Sequence, residues 1–199
     1  MVTAMARWFT HKDSSQIQLV LINKTPLIST ASAILTLADG HKITLDMTLK
    51  YAYHRRGESK HLSSIHIDDL FGNGDTTPHY RNQGYGSSLV ATCLKFIRQH
   101  QRISNNEACE VTGKMVPCCD TSPHSSSRRA AFWQKMGMDL KSKHQAVSEF
   151  SGDLNDPQRD RYAWRTDWHS AIHSGSRTLN SCHSQELNIR HQAHLPANH

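Results

Sequence analysis

The sequence predicts an α+β (α/β) domain, because two kinds of hydrophobic periodicity follow each other along its 199 residues. One is the alternation of apolar and polar residues that is typical of a half-buried strand, seen at Ile43, Leu45, Met47, Leu49 and Tyr51. From residue 87 onward the apolar residues instead follow the spacing of an amphipathic helix. A segment with two glycines, residues 81–88, joins strand to helix.

The N-terminal half is predicted to be mostly strand. A first strand covers residues 17–22, and a second runs from about residue 29 to residue 38. The chain then turns at Asp39-Gly40 and returns through residues 43–51 as a hairpin. A further strand over residues 62–70 ends at a glycine-containing loop.

The C-terminal half is predicted to alternate helices with strands. Apolar spacing and capping residues predict helices over residues 87–101 and 126–136. Strands are predicted over residues 109–116, 138–150 and 161–168.

One domain, residues 1–168, is expected to hold the whole core. Residues 169–199 form a polar tail rich in His and Ser with few apolar anchors, and we expect this tail to be disordered. No stretch of the sequence has the length of apolar residues that a membrane span needs, so no membrane partner is expected.

The charge and the cysteines restrict the class of protein. A formal net charge of +6 favours an anionic partner, which could be a nucleic acid, an acidic protein surface or a phosphate-bearing cofactor. The five cysteines are odd in number and lack a repeated metal-binding spacing, which favours reduced thiols and a cytoplasmic protein. Cys118 and Cys119 are adjacent and poorly placed to bind one ion together with His124, so no metal is expected.

The segment that joins strand to helix reads Arg81-Asn82-Gln83-Gly84-Tyr85-Gly86-Ser87-Ser88. Its glycines allow a tight bend that brings backbone N–H groups against a phosphate, and the following helix adds the positive end of its dipole. A P-loop is excluded because Gly-Lys-Ser/Thr is absent, and a Rossmann site is disfavoured because the third glycine is missing. The segment therefore predicts a site for a phosphate or pyrophosphate.

Two segments resemble motifs of the Gcn5-related N-acetyltransferase superfamily. The run from Tyr80 to Leu89 resembles its acyl-CoA signature, Arg/Gln-x-x-Gly-x-Gly/Ala, and Ala131-Phe132-Trp133-Gln134-Lys135-Met136-Gly137-Met138 resembles its later helix. The likeness covers roughly residues 30–168. It implies a mixed, mostly antiparallel central sheet flanked by helices, with acyl-CoA bound at a splayed strand and the glycine loop.

The resemblance also implies a set of cofactor-binding residues. Main-chain amides of residues 83–88 would hold the CoA pyrophosphate, Arg81 would contribute charge or brace the loop, and pantetheine would pair with the exposed edge of residues 65–70. The complete set is Arg81, Asn82, Gln83, Gly84, Tyr85, Gly86, Ser87, Ser88 and Ser126.

For catalysis, the family often places its base on the strand before the loop. His66 and Asp68 stand there, with Asp69 beside them, although an ordinary surface role explains each of these residues equally well. The family's usual tyrosine acid is replaced by Trp133, whose indole cannot supply that proton. Tyr85 is the expected replacement, and the others are Tyr80, a serine of residues 125–127 or water.

The resemblance implies an N-acetyltransferase that uses acetyl-CoA without a metal and acetylates a primary amine by direct attack in a ternary complex. The acceptor is left open among small molecules, proteins and charged tRNA, and so is a homodimer. The alternative is a non-catalytic module that binds acyl-CoA or nucleic acid, and an RNA-binding domain ranks last.

Overall fold

The computed structural model describes residues 4–11, 14–53, 60–72, 80, 82–101, 103, 108–115, 123–143 and 147–164. The predicted tail, residues 169–199, lies outside the described residues.

Eight strands form one sheet, in the spatial order β1-β2-β3-β4-β5-β6-β8-β7. Their bounds are β1 Ala4–Thr10, β2 Gln16–Thr25, β3 Ile28–Thr36, β4 Lys42–Tyr53, β5 Lys60–Phe71, β6 Glu110–Met115, β7 Asp139–Lys143 and β8 Val147–Asp153. Neighbouring strands pair antiparallel except β5 and β6, which run parallel.

Two α-helices and one 3₁₀ helix occur within the described residues: α1 Tyr85–His100, α2 Pro123–Lys135 and the 3₁₀ helix Pro157–Tyr162. Helix α1 packs against β3, β4 and the 3₁₀ helix, while α2 packs against β7. Arg98 near the end of α1 forms a 2.6 Å ion pair with Asp160, which ties α1 to the 3₁₀ helix.

The fold class predicted from the sequence was wrong. Instead of a central sheet flanked by helices, the protein has an eight-stranded, mostly antiparallel sheet with few helices. The first five strands are consecutive neighbours in the sheet, because each pairs antiparallel with the next strand along the chain. The described helices all follow β5 in the chain.

The predicted hairpin is confirmed, whereas three other elements differ. The strand predicted over residues 138–150 is instead two antiparallel strands, β7 and β8. Strand β1 was missed because Arg7 interrupts the apolar side of its alternation. The predicted strand at residues 161–168 is replaced, as far as it is described, by the 3₁₀ helix. Pro157 starts this helix, and the Asp156 carboxylate caps it by accepting the Gln158 N–H at 2.9 Å.

Candidate functional site

The parallel pair β5 and β6 separates part of the way along. Their pairing runs from Ser64 opposite Glu110 to Ile67 opposite Gly113. Beyond this point β5 continues beside β4 as far as Phe71, and β6 continues beside β8 as far as Met115. Beyond Ile67 and Gly113 the two strands are no longer paired with each other, and the gap between them is called the fork below.

A cleft of about 710 Å³ fills this fork and is lined by residues of β5, β6, α1 and α2. Both acidic and basic side chains line the cleft. The carboxylates come from β5, and the cations come from β6 and α2: Asp68, Asp69, Lys114, Arg128, Arg129 and Lys135. Such a cleft can hold an extended ligand with an anionic group at one end.

Helix α1 presents its N-terminus to the cleft. Its N-cap is Gly84, at φ +83°, and Asn82 two residues earlier also has a positive φ of 61°. Gly86 and Ser87 in the first turn are buried and line the cleft, and this turn has no acidic residue. Because the positive end of the helix dipole lies at this turn, the start of α1 favours an anionic group in the cleft.

Helix α2 supplies two arginines that sequence reasoning did not assign to the site. The Ser125 hydroxyl, which is fully buried, accepts hydrogen bonds from Arg129 Nη1 at 2.7 Å and from Arg128 Nη2 at 3.3 Å. A buried anchor thus positions both guanidinium groups where they line the cleft. The signal in the sequence was a pair of adjacent arginines in a helix, which is equally typical of a solvated helix surface.

His66 and Asp68 share the face of β5 opposite the buried Ile65 and Ile67, as the alternation predicted. His66 Nδ1 lies 2.9 Å from the Thr112 hydroxyl on β6, which is its partner in the parallel register. The Thr48 hydroxyl donates to Asp68 Oδ2 at 2.8 Å. Both side chains line the cleft.

A β-bulge positions Asp68. Asp46 of β4 pairs with Asp69, and Met47 pairs with Ile67, so that Asp68 is the extra residue on β5. Bulges re-aim side chains next to binding sites. Here the bulge leaves Asp68 exposed at the mouth of the fork.

Trp133 lines the cleft but is 6% exposed and belongs to the core. Its ring stacks on Phe150 at a centroid distance of 3.9 Å and an interplanar angle of 17°. Gly113 makes room for this stack, since a Cβ there would lie 2.2 Å from the Phe150 ring. Trp133 therefore shapes the wall of the cleft.

The tyrosines considered as proton donors lie elsewhere. Tyr80 donates its hydroxyl to Asp39 Oδ2 at 2.5 Å, which raises the pKa of Tyr80. Tyr85 is half-buried and packs against the core. Neither is among the described residues that line the cleft.

The structure brings together six of the residues predicted from the sequence: His66, Asp68, Asn82, Gly84, Gly86 and Ser87. Gln83, Ser88 and Ser126 are described but do not line the cleft, and Arg81 lies outside the described residues. The Ser88 N–H donates to the Gly84 carbonyl at 2.9 Å, so this amide already has a partner. The Ser126 hydroxyl accepts from Arg129 Nη2 at 3.3 Å, which places Ser126 behind the arginine.

The described thiols are poor nucleophiles. Cys93 and Cys109 are buried, and burial raises the pKa of both, that of Cys109 to about 12. Cys118 and Cys119 lie outside the described residues. In the part of the chain that is described, no group of three or more His, Cys, Asp or Glu side chains could hold a metal ion.

None of the described helices has the length and apolar character that crossing a membrane requires. No protein-family model and no curated protein matches this chain.

Proposed function

We propose that this protein is an acetyl-CoA-dependent N-acetyltransferase that transfers the acetyl group to a primary amine by direct attack in a ternary complex. One observation carries the proposal: the fork between β5 and β6 and the N-terminus of α1 open into the same cleft. A CoA thioester has the matching pair of chemical features, a pyrophosphate and an extended amide-containing arm.

The pyrophosphate would lie at the N-terminus of α1, where backbone N–H groups and the helix dipole favour anions. Arg128 and Arg129 would add charge-assisted hydrogen bonds from α2. The arm would enter the fork and pair with the strand edges that β5 and β6 leave unpaired with each other. The cleft volume of about 710 Å³ lies within the range of about 300–1,000 Å³ that is usual for small-molecule sites.

Acetyl transfer forms a C–N bond and breaks the C–S bond of the thioester. His66 would accept the proton that the amine loses, directly or through water; the support is that its ring lines the cleft and that Thr112 holds one nitrogen. Asp68 beside it would attract a cationic amine. The departing thiolate takes up one proton, and Lys114 and Lys135 are cations in the lining that would stabilise its negative charge until then.

The alternative is a protein that binds acyl-CoA without turning it over. The observation in its favour is that Trp133 is part of the core stack and that the Tyr80 hydroxyl is bonded to Asp39. In this alternative the cleft keeps its affinity for CoA, while no side chain delivers the proton to the thiolate.

Two assays on the purified full chain separate these possibilities. Thermal stabilisation by acetyl-CoA tests binding, and release of free CoA in the presence of small amines, proteins or tRNA tests transfer. We expect both stabilisation and release. If acetyl-CoA stabilises the protein but no acceptor causes release of CoA, the protein binds acyl-CoA without transferring the acetyl group. If acetyl-CoA does not stabilise the protein, both proposals are wrong.

A further inference from the structure

Asp39 and His41 of the turn between β3 and β4 form a contact set with Tyr80, which precedes α1 in the chain. The members of this set, called the clamp below, are Asp39, His41 and Tyr80. Tyr80 stacks on the His41 ring at a centroid distance of 3.9 Å and an interplanar angle of 14°. The clamp is distinct from the residues that line the cleft.

Asp39 uses both carboxylate oxygens in the clamp. Oδ1 accepts the backbone N–H of His41 at 3.0 Å, and Oδ2 accepts the Tyr80 hydroxyl at 2.5 Å. Hydrogen bonds from a hydroxyl to an ionised carboxylate are short and stronger than neutral ones. The turn therefore orients the carboxylate, and the carboxylate holds Tyr80.

His41 also holds the end of β5. Its Nε2 donates to the Gly72 carbonyl at 2.9 Å, which requires the proton to be on Nε2. Gly72 has φ +82°, and a Cβ on it would lie 2.5 Å from the Lys42 carbonyl oxygen. The chain leaving β5 is thus pressed against the start of β4 at a position that only glycine fits.

Gly72 and Tyr80 are the described residues on either side of the connection that leads from β5 toward α1. Both are fixed to the same turn, although they are far from it in sequence. Asn82 and Gly84, the two positive-φ residues at the start of α1, lie two and four positions after Tyr80 in the sequence. A change of backbone direction at Tyr80 would therefore change the orientation of the first N–H groups of α1.

We propose that the clamp of Asp39, His41 and Tyr80 fixes the conformation of residues 82–88 and thereby orients the first-turn amides of α1 toward the ligand. These three are positioning residues, since none of them lines the cleft. The consequence for ligand affinity rests on the proposed function. Affinity falls in proportion to the fraction of molecules that hold the competent loop, so loosening the clamp weakens binding without removing a ligand contact.

Tyr80→Phe tests the clamp because it removes the hydroxyl and keeps the ring. Tyr53→Phe is the matched control, since Tyr53 is 55% exposed at the end of β4 and does not line the cleft. Hydrogen exchange of the unliganded full chain is measured first, and CoA affinity is measured second. In Tyr80→Phe we expect residues 82–88 to exchange roughly tenfold faster and CoA to bind roughly tenfold more weakly, as the loss of one charge-assisted hydrogen bond predicts.

Asp39→Asn should give changes in the same direction, because its neutral amide cannot accept a charge-assisted hydrogen bond from Tyr80, and combining it with Tyr80→Phe should add little. A role in global stability alone would accelerate exchange along all of α1 instead of at residues 82–88, and this result would overturn the proposal. So would unchanged exchange at residues 82–88 in Tyr80→Phe. If the unmodified protein does not bind CoA, the proposed function fails, and the exchange measurement alone decides whether the clamp acts on the loop.

Discussion

His66 Nδ1 lies 2.9 Å from the Thr112 hydroxyl, across the last stretch over which β5 and β6 are still paired. The contact spans the two strands just before they separate. It therefore links the proposed general base to the two strands whose separation creates the cleft.

His66→Ala should lower the rate of acetyl transfer by about 10²–10⁴-fold, the usual contribution of a general base, and leave acetyl-CoA affinity unchanged. Thr112→Val should lower the rate less, because it frees the imidazole without removing it. Steady-state release of CoA measures both. His124→Ala is the control, since His124 is exposed on α2 and does not line the cleft. A normal rate in His66→Ala would remove His66 from the mechanism.

Gly113→Ala should lower the free energy of unfolding by about 1–3 kcal/mol, the usual range for overpacking a core. The added methyl would lie 2.2 Å from the Phe150 ring, which must then shift and disturb its stack on Trp133. Urea unfolding measures the effect. The same substitution made in a Phe150→Ala background should cost much less, because the clashing ring is gone. An equal cost in both backgrounds would contradict this explanation.

Arg159 is 2% exposed and donates to the carbonyls of Met136 at 3.0 Å and Asp153 at 2.9 Å. Arg159→Met should destabilise the protein by about 1–3 kcal/mol, because the Met136 carbonyl loses its buried donor, while the Asp153 carbonyl keeps the Asp156 N–H at 3.2 Å. Arg161→Met is the matched control on the same 3₁₀ helix, where Arg161 is exposed and lies over the Tyr162 ring. It should change stability by at most about 0.5 kcal/mol. Equal losses in chemical denaturation would contradict the role given to Arg159.

The clamp gives a pH dependence whose sign follows from its hydrogen bond. The Tyr80 hydroxyl, and after it the His41 N–H, lower the pKa of Asp39 below its ordinary value of 3.8. Because the pKa of Asp39 is lower in the folded protein than in the unfolded chain, the ionised carboxylate stabilises the fold above pH 3.8. This stabilisation is lost as the pH falls through the pKa that Asp39 has in the folded protein. Asp39→Asn should therefore have a lower Tm than the unmodified protein at neutral pH, and the two should converge below pH 3.8.

The same bond raises the pKa of Tyr80 above its ordinary value of 10.0. A spectrophotometric titration should show one tyrosine ionising at lower pH in Asp39→Asn than in the unmodified protein. Titration curves that superimpose would show that the bond is absent in solution.

Local features of the sequence predicted local structure well. The alternation through Ile43 and Tyr51 identified a hairpin, and the glycines before α1 identified the loop at the cleft. The architecture was not predictable in this way, because whether a sheet is flanked by helices or dominates the fold depends on how strands pair. Strand β1 was missed because Arg7 interrupts its apolar alternation. The 3₁₀ helix was missed because it starts at Pro157 and does not follow an apolar periodicity.

The residues of the candidate site also divide into those that local sequence features identified and those that only the folded chain brings together. Residues adjacent to the glycine loop were found from the sequence, as were His66 and Asp68. Lys114, Arg128 and Arg129 were missed because only the folded chain brings β6 and α2 to the fork. The partners of Tyr80 could not be predicted from the sequence either, since Asp39 lies on a turn that is distant from Tyr80 along the chain.

The most direct test of the account is calorimetric titration of acetyl-CoA into the unmodified protein, Asn82→Asp and Gln99→Glu. Asn82 lines the cleft at positive φ, which aspartate also tolerates, so the substitution adds a negative charge with little change of shape. Gln99→Glu adds the same charge at the opposite, exposed end of α1.

We predict that the unmodified protein and Gln99→Glu bind acetyl-CoA with equal affinity, and that Asn82→Asp binds it roughly tenfold more weakly, a loss of about 1.4 kcal/mol. The absence of binding to the unmodified protein, or equal weakening by both substitutions, would contradict a pyrophosphate site at the start of α1.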